Sequence, residues 1–233
     1  MSSGVKHGGG LQGEVDLLYA PELRRGRGWL ILQTGEERSI KSVFIMGISI
    51  TESTDVFHVP FSSFNGDGTL EDGYVDLKAH PEWIPVLPSC LGWPEMQSLL
   101  KFINAPDSPL MSLAAAQHFV PGDSAMSQLT SFVVLCPAEP SERDKPAMRS
   151  LADFLRARID ELMHTASHAL KQRLDVKIRL ELQPTRFHLY GVDGWSLMLM
   201  TYVRADEIRE ARKIWGVVLR VLEAALLAYW EER

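Results

Sequence analysis

The sequence predicts an α+β fold: an N-terminal antiparallel β-rich region, then an α/β sandwich with two long helices packed on an antiparallel sheet. Three observations predict it. Residues 14–61 are dense in β-branched and aromatic side chains and are broken by turn-forming clusters. Two long segments nearer the C-terminus carry apolar residues at helical spacing, and the stretch "VKIRLEL" between them alternates apolar with polar. The expected organisation is a Gly-rich polar tail over 1–13, a β-rich region with short helices over 14–120, and an α+β region over 121–233.

The elements follow in order. "EVDLLYA", "GWLILQT", "SIKSVFIMGISI" and "DVFHVPF" read as four strands separated by "RRGRG", "TGEE" and "TEST". "FNGDGTLEDG" is a loop and "YVDLKA" a fifth strand. Three prolines in "HPEWIPVLPSCLGW" remove backbone donors, so a packed loop is expected there. Pro94 suits a first helical position, and Met96, Leu99, Leu100 and Ile103 place a short helix over 94–104. "SPLMSLAAAQHF" is taken as a second short helix and "LTSFVVLC" as a buried strand. Ser141 or Asp144 caps a long helix whose stripe includes Met148, Leu151, Leu155, Leu162, Ala166 and Leu170. In "RFHLYGVDGWSLMLMTYV", Asp193 and Gly194 suit a two-residue hairpin turn, which would pair Val192 with Trp195, Leu189 with Met198 and His188 with Leu199. Both faces of that hairpin are then largely apolar. The last helix, capped by Asp206, has one stripe through Ile208, Ala211, Trp215, Val218, Leu222, Ala225 and Tyr229 and a second through Ile214, Val217, Val221, Ala224 and Ala228.

Composition narrows the function classes. The chain has 233 residues, enough for a sizeable core, with 45% apolar and 23% charged residues, as in ordinary globular proteins. A net charge of −6 supplies no broad positive field, so nucleic acid is a poor partner. The one dense basic cluster, Arg24, Arg25 and Arg27, is a candidate anion or head-group site and more simply a solvated turn. Two cysteines do not make a secreted disulfide framework, and "MSSGVKHGGGLQG" has no apolar segment, so an intracellular, cytoplasmic protein without a signal peptide or membrane span is expected.

Motif tests yield no catalytic signature. "GGGLQG" satisfies the dinucleotide spacing at Gly8, Gly10 and Gly13, but no strand precedes it to deliver a pyrophosphate site. Glu161, His164 and His168 have metal-like helical spacing, yet His164 shares a polar stripe with Arg149, Asp153, Arg156 and Asp160, and nothing completes a site. "NGDGTLEDG" fails the calcium-loop pattern, because counting from Asn65 places Leu70 where Gly is needed. Ser49 lacks the second Gly of a nucleophile elbow, and Cys136 becomes a nucleophile only if a base approaches it. No cofactor or metal is expected. The functional expectation is a non-catalytic interaction or assembly subunit, docking a partner protein or a second copy through an apolar C-terminal surface anchored by Tyr190, Trp195, Leu197, Trp215, Tyr229 and Trp230. The alternative is a small-molecule-binding protein or enzyme with a pocket between the two halves, lined by His58, His118 or His188.

Overall fold

The alternation of β5, Asp175–Phe187, organises the molecule: Val176, Ile178, Leu180 and Leu182 are buried on one face, while Lys177 on the other is exposed. The structure is a computed structural model that describes residues 45–60, 74–120, 127–170, 175–188 and 191–232. The tail, the strands expected before residue 45, the 64–73 loop, Arg24, Arg25, Arg27 and Tyr190 lie outside the described residues. The described residues all fall in one compact unit.

The fold is α+β, and the described residues form a six-stranded sheet in which five strands follow the order β1-β5-β6-β4-β3 and the sixth, β2, also pairs with β5. Strand β1, Ile45–Glu52, runs parallel to β5 from Ile45 opposite Asp175 to Glu52 opposite Leu182. The Ser53 amide donates to Leu182 O at 2.8 Å, and after a short excursion β2, Phe57–Val59, resumes pairing with β5 at Thr185–Phe187. β6, Val192–Ala205, is antiparallel to β5 and to β4, Ser127–Pro137, which pairs antiparallel with β3, Leu110–Val120. The sheet is therefore mixed rather than antiparallel throughout. The boundary expected between residues 120 and 121 falls in the β3–β4 connection, so strands from both expected regions share one sheet.

Helices α1 (Pro94–Ile103), α2 (Lys145–Leu170) and α3 (Ile208–Glu231) cover one face, with α3 packed on both α1 and α2. The first two begin as their first residues dictate. Pro94 opens α1. The Asp144 carboxylate accepts from the Ala147 amide at 2.7 Å and caps α2, whose first turn tolerates Pro146. α3 starts without a side-chain cap, so Asp206 does not play that part. The core between helices and sheet is built from Met96, Leu99, Leu100, Met148, Leu151, Leu155, Trp215, Val218 and Leu222 against Leu129, Val133, Leu180, Leu182, Leu197 and Leu199. A second, smaller cluster of Val59, Met111, Leu113, Val134, Cys136 and Phe187 lies on the other side of the sheet. The rest of that side is half-buried and methionine-rich, with Met198, Met200 and Tyr202.

Three local expectations are corrected. "SPLMSLAAAQHF" is the strand β3, not a helix. It pairs with β4 along its length, and the buried Asn104 carboxamide accepts from the Ser112 amide at 3.0 Å and donates to the Ser112 hydroxyl at 2.8 Å. Such tertiary partners override the helix propensity of Ala114, Ala115 and Ala116. "YVDLKA" is not a strand: Asp76 accepts from the Lys78 and Ala79 amides, which turns the chain. Lys78 then reaches back to donate to the carbonyls of Ala105, Ser108 and Leu110 at 2.8, 2.7 and 3.1 Å. The hairpin turn lies four residues earlier than expected, with Phe187 opposite Val192 and Pro184 opposite Trp195. Gly191, at φ +62°, supplies the left-handed residue there, and Arg186 clasps Asp193 across the strands.

Candidate functional site

Gly194 is in an extended strand for a packing reason. A Cβ there would lie 3.0 Å from the Arg143 carbonyl oxygen and 3.2 Å from the Phe187 ring. The missing side chain lets β6 approach the turn before α2, where the Trp195 amide donates to Arg143 O at 2.8 Å. This contact frames an open groove of about 430 Å³ at the end of the sheet. Pro184–Arg186 of β5 and Asp193–Trp195 of β6 form its floor, and Val56, Pro140, Ser141 and Arg143–Lys145 its walls.

The charges of the groove are engaged with one another. Arg143 is 4% exposed and donates to Pro137 O at 2.8 Å and Ala138 O at 2.7 Å, with its guanidinium 4.6 Å from the centre of the Phe187 ring. Lys145 is ion-paired with Glu52 and sits 4.7 Å from the Trp195 ring centre. Asp144 occupies the α2 N-terminus, where an anion would otherwise sit. Arg186 donates to both oxygens of Asp193 at 2.8 and 3.2 Å, and this pairing holds the Asp193 carboxyl below its usual range. At the edge of this cluster, His58 Nδ1 lies 2.8 Å from His188 Nε2. His118 is exposed on β3, at the opposite edge of the sheet, so the three histidines do not line one cleft.

The expected anchors separate into interior and surface groups. Trp215 and Leu197 are fully buried and cannot touch a partner. Trp215 donates from Nε1 to the Ser131 hydroxyl at 2.8 Å and meets Trp93 edge-on. Trp195 is half-buried on the groove floor. Tyr229 and Trp230 are half-buried in the last turns of α3, Tyr229 edge-on to Phe154 of α2 and Trp230 tilted against Phe102 of α1. Leu227 beside them is 41% exposed, and Ala224 is exposed one turn earlier. Ala224, Leu227 and Trp230, three residues apart, form an apolar ridge on the outward side of α3, while Tyr229 lies on the side that packs against α2.

Metal chemistry finds no support in the α2 histidines. Glu161 pairs with Arg158, His164 stands 3.9 Å from Asp160, and the side chain of His168 lies outside the described residues. Among the described residues no group of three or more His, Cys, Asp or Glu side chains is placed to hold a metal ion. Burial pushes the Cys136 thiol up to about 12, although the Arg143 cation pulls the other way, and burial also raises that of Cys90. Neither is a poised nucleophile. Both thiols are expected to resist a thiol-specific chromogenic reagent at pH 8 in the native protein and to react fully in guanidinium; rapid native labelling of Cys136 would contradict its placement.

Sequence spacing does not reveal the His58 and His188 pair or the Arg143 junction, because their partners are brought together only by strand pairing. The described residues contain no helix long and apolar enough to cross a membrane. No protein-family model, curated protein or solved structure matches the chain.

Proposed function

We propose that this chain is a non-catalytic interaction subunit that docks a partner protein through the apolar ridge at the C-terminal end of α3. The observation that carries the proposal is the outward face of α3, where exposed Ala224 and Leu227 and half-buried Trp230 recur at three-residue spacing and the Trp230 ring leans on Phe102 of α1. Aromatic anchors in a well-packed setting dominate interface energies, and a polar rim excludes water around them. Arg220, Glu231, Glu232 and Lys101 supply such a rim, all exposed on α3 and α1. The groove supports a catalytic role less, since its charged groups are held in ion pairs and carbonyl contacts and its neighbouring thiol is buried. An intracellular site belongs to the same proposal, in keeping with two free, buried cysteines.

The test compares wild-type protein with Leu227→Glu and Trp230→Ala, by light scattering of the purified chain and by affinity purification from the cells that make it. The wild type is expected to show a dimer mass or one polypeptide retained in stoichiometric amount. Leu227→Glu should weaken that association at least about tenfold by placing a charge in the desolvated contact. Its circular dichroism should match the wild type, because the side chain is on the outer side of α3. A monomer that retains no stoichiometric partner, or association untouched by Leu227→Glu, would overturn the proposal.

A further inference from the structure

His58 on β2 and His188 at the start of the β5–β6 turn are 130 positions apart in sequence and face each other through His58 Nδ1 and His188 Nε2 at 2.8 Å. Their ring centres are 5.1 Å apart and their planes differ by 15°. That centre-to-centre distance is the nitrogen separation plus one ring radius at either end. The rings therefore lie edge to edge in nearly one plane, not face to face. The lone pair of one nitrogen points down the N–H bond of the other, the arrangement of an imidazole–imidazole hydrogen bond.

Proton counting sets what this bond can do. With both rings neutral, one nitrogen carries hydrogen and the other accepts it. A first added proton, taken up on an outer nitrogen, leaves the bond in place and makes it charge-assisted. A second proton puts hydrogen on both facing nitrogens and a positive charge on both rings, and the contact must open. We propose that the pair is an acid-released latch that fastens β2 to the end of β5.

The latch acts together with the short ladder and the apolar packing of β2. β2 is three residues long, and beyond its ladder the His188 amide donates to Val59 O at 2.7 Å. On the opposite side of the sheet, Val59 and Phe187 are buried and Phe57 is half-buried, so release of β2 uncovers apolar side chains. The charged groups on the surrounding elements are Asp55 before β2, Arg186 in register with His58, Asp193 in register with Arg186, and Arg143, Asp144 and Lys145 along the groove. Asp193 is held ionised chiefly by Arg186. Because the latched state refuses a proton that the released state accepts, attachment of β2 strengthens as pH rises and weakens as it falls.

Amide hydrogen exchange of the full chain tests this between about pH 8 and pH 5, the range in which imidazoles ordinarily change charge. After correction for intrinsic exchange, the His188 amide is expected to exchange about fivefold faster at the acid end, the size of one net hydrogen bond. His58→Gln, which can still donate but does not titrate, should keep the protection and lose its pH dependence. His188→Phe should exchange at the faster rate throughout. Ring nitrogen NMR of the wild type at pH 8 should show one protonated and one bare nitrogen, coupled through the hydrogen bond. Equal corrected exchange at both ends, a pH dependence that survives His58→Gln, or two uncoupled rings would overturn the latch.

Discussion

Trp215→Ala is expected to lower the unfolding free energy by about 3–5 kcal/mol, the range for deleting a fully buried tryptophan side chain. Trp215 is 0% exposed at the centre of α3. Its indole N–H donates to the Ser131 hydroxyl at 2.8 Å, which lies 2.7 Å from the Thr201 hydroxyl. Ser131 and Thr201 are opposite each other on β4 and β6, so one indole ties the middle helix to the two central strands. Its ring also supports Trp93, over which Arg212 is stacked at 4.7 Å. Alanine would therefore open a large cavity and strip one partner from a buried hydroxyl pair. Trp215→Phe keeps most of the apolar volume and loses the donor, and should cost about 1–3 kcal/mol. Urea unfolding decides the matter through its midpoint at unchanged slope. A loss below about 1 kcal/mol for the alanine variant would mean that α3 is not seated through this residue.

The same residue shows where sequence patterning stops. Spacing identified Trp215 as part of an apolar stripe, and α1, α2, α3, β4 and β5 all fall where their periodicity places them. A stripe says that a residue faces something, but not whether that something is the chain's own sheet. The hydroxyls of Ser131 and Thr201, which sit among apolar neighbours on β4 and β6, were the available hint that a polar atom on a helix would come to meet them. Ala114–Ala116 went wrong for the reverse reason. Alanine suits a helix intrinsically, but the buried Asn104 to Ser112 bonds and the β4 ladder determine the outcome. The turn at 188–191 was hidden because Asp193 and Gly194 look like a turn by composition. They serve instead as the partner of Arg186 and as the gap that Arg143 needs. The doubled stripe of α3 implies more apolar area than one sheet face uses, and the structure turns that area toward α1, α2 and the outer side.

Arg143→Ala should cost about 2–4 kcal/mol, second only to Trp215→Ala, because it removes a buried donor and leaves its carbonyl partners in place. The carbonyls of Pro137 and Ala138 each lose a donor, and the Phe187 face loses its cation. A buried carbonyl without its donor, that of Pro137, costs about 1–3 kcal/mol, the partly buried Ala138 carbonyl less, and the ring contact adds about 0.5–2. Arg143→Lys does not restore the site, because an ammonium cannot reproduce the planar fork that reaches both carbonyls. Gly194→Ala strains the same junction from the other side. Its new Cβ meets the Arg143 carbonyl oxygen, an atom of the main chain, so the strand must back away and the bond from the Trp195 amide must lengthen. A cost of about 1–3 kcal/mol is expected. The two changes act on one contact, and Arg143→Ala loosens the turn that Gly194→Ala collides with. The double variant should therefore lose less than the sum, by at least about 0.5 kcal/mol, in a thermodynamic cycle measured by urea unfolding. Strict additivity would mean that Arg143 is held independently of β6 and that the groove is not closed by this junction.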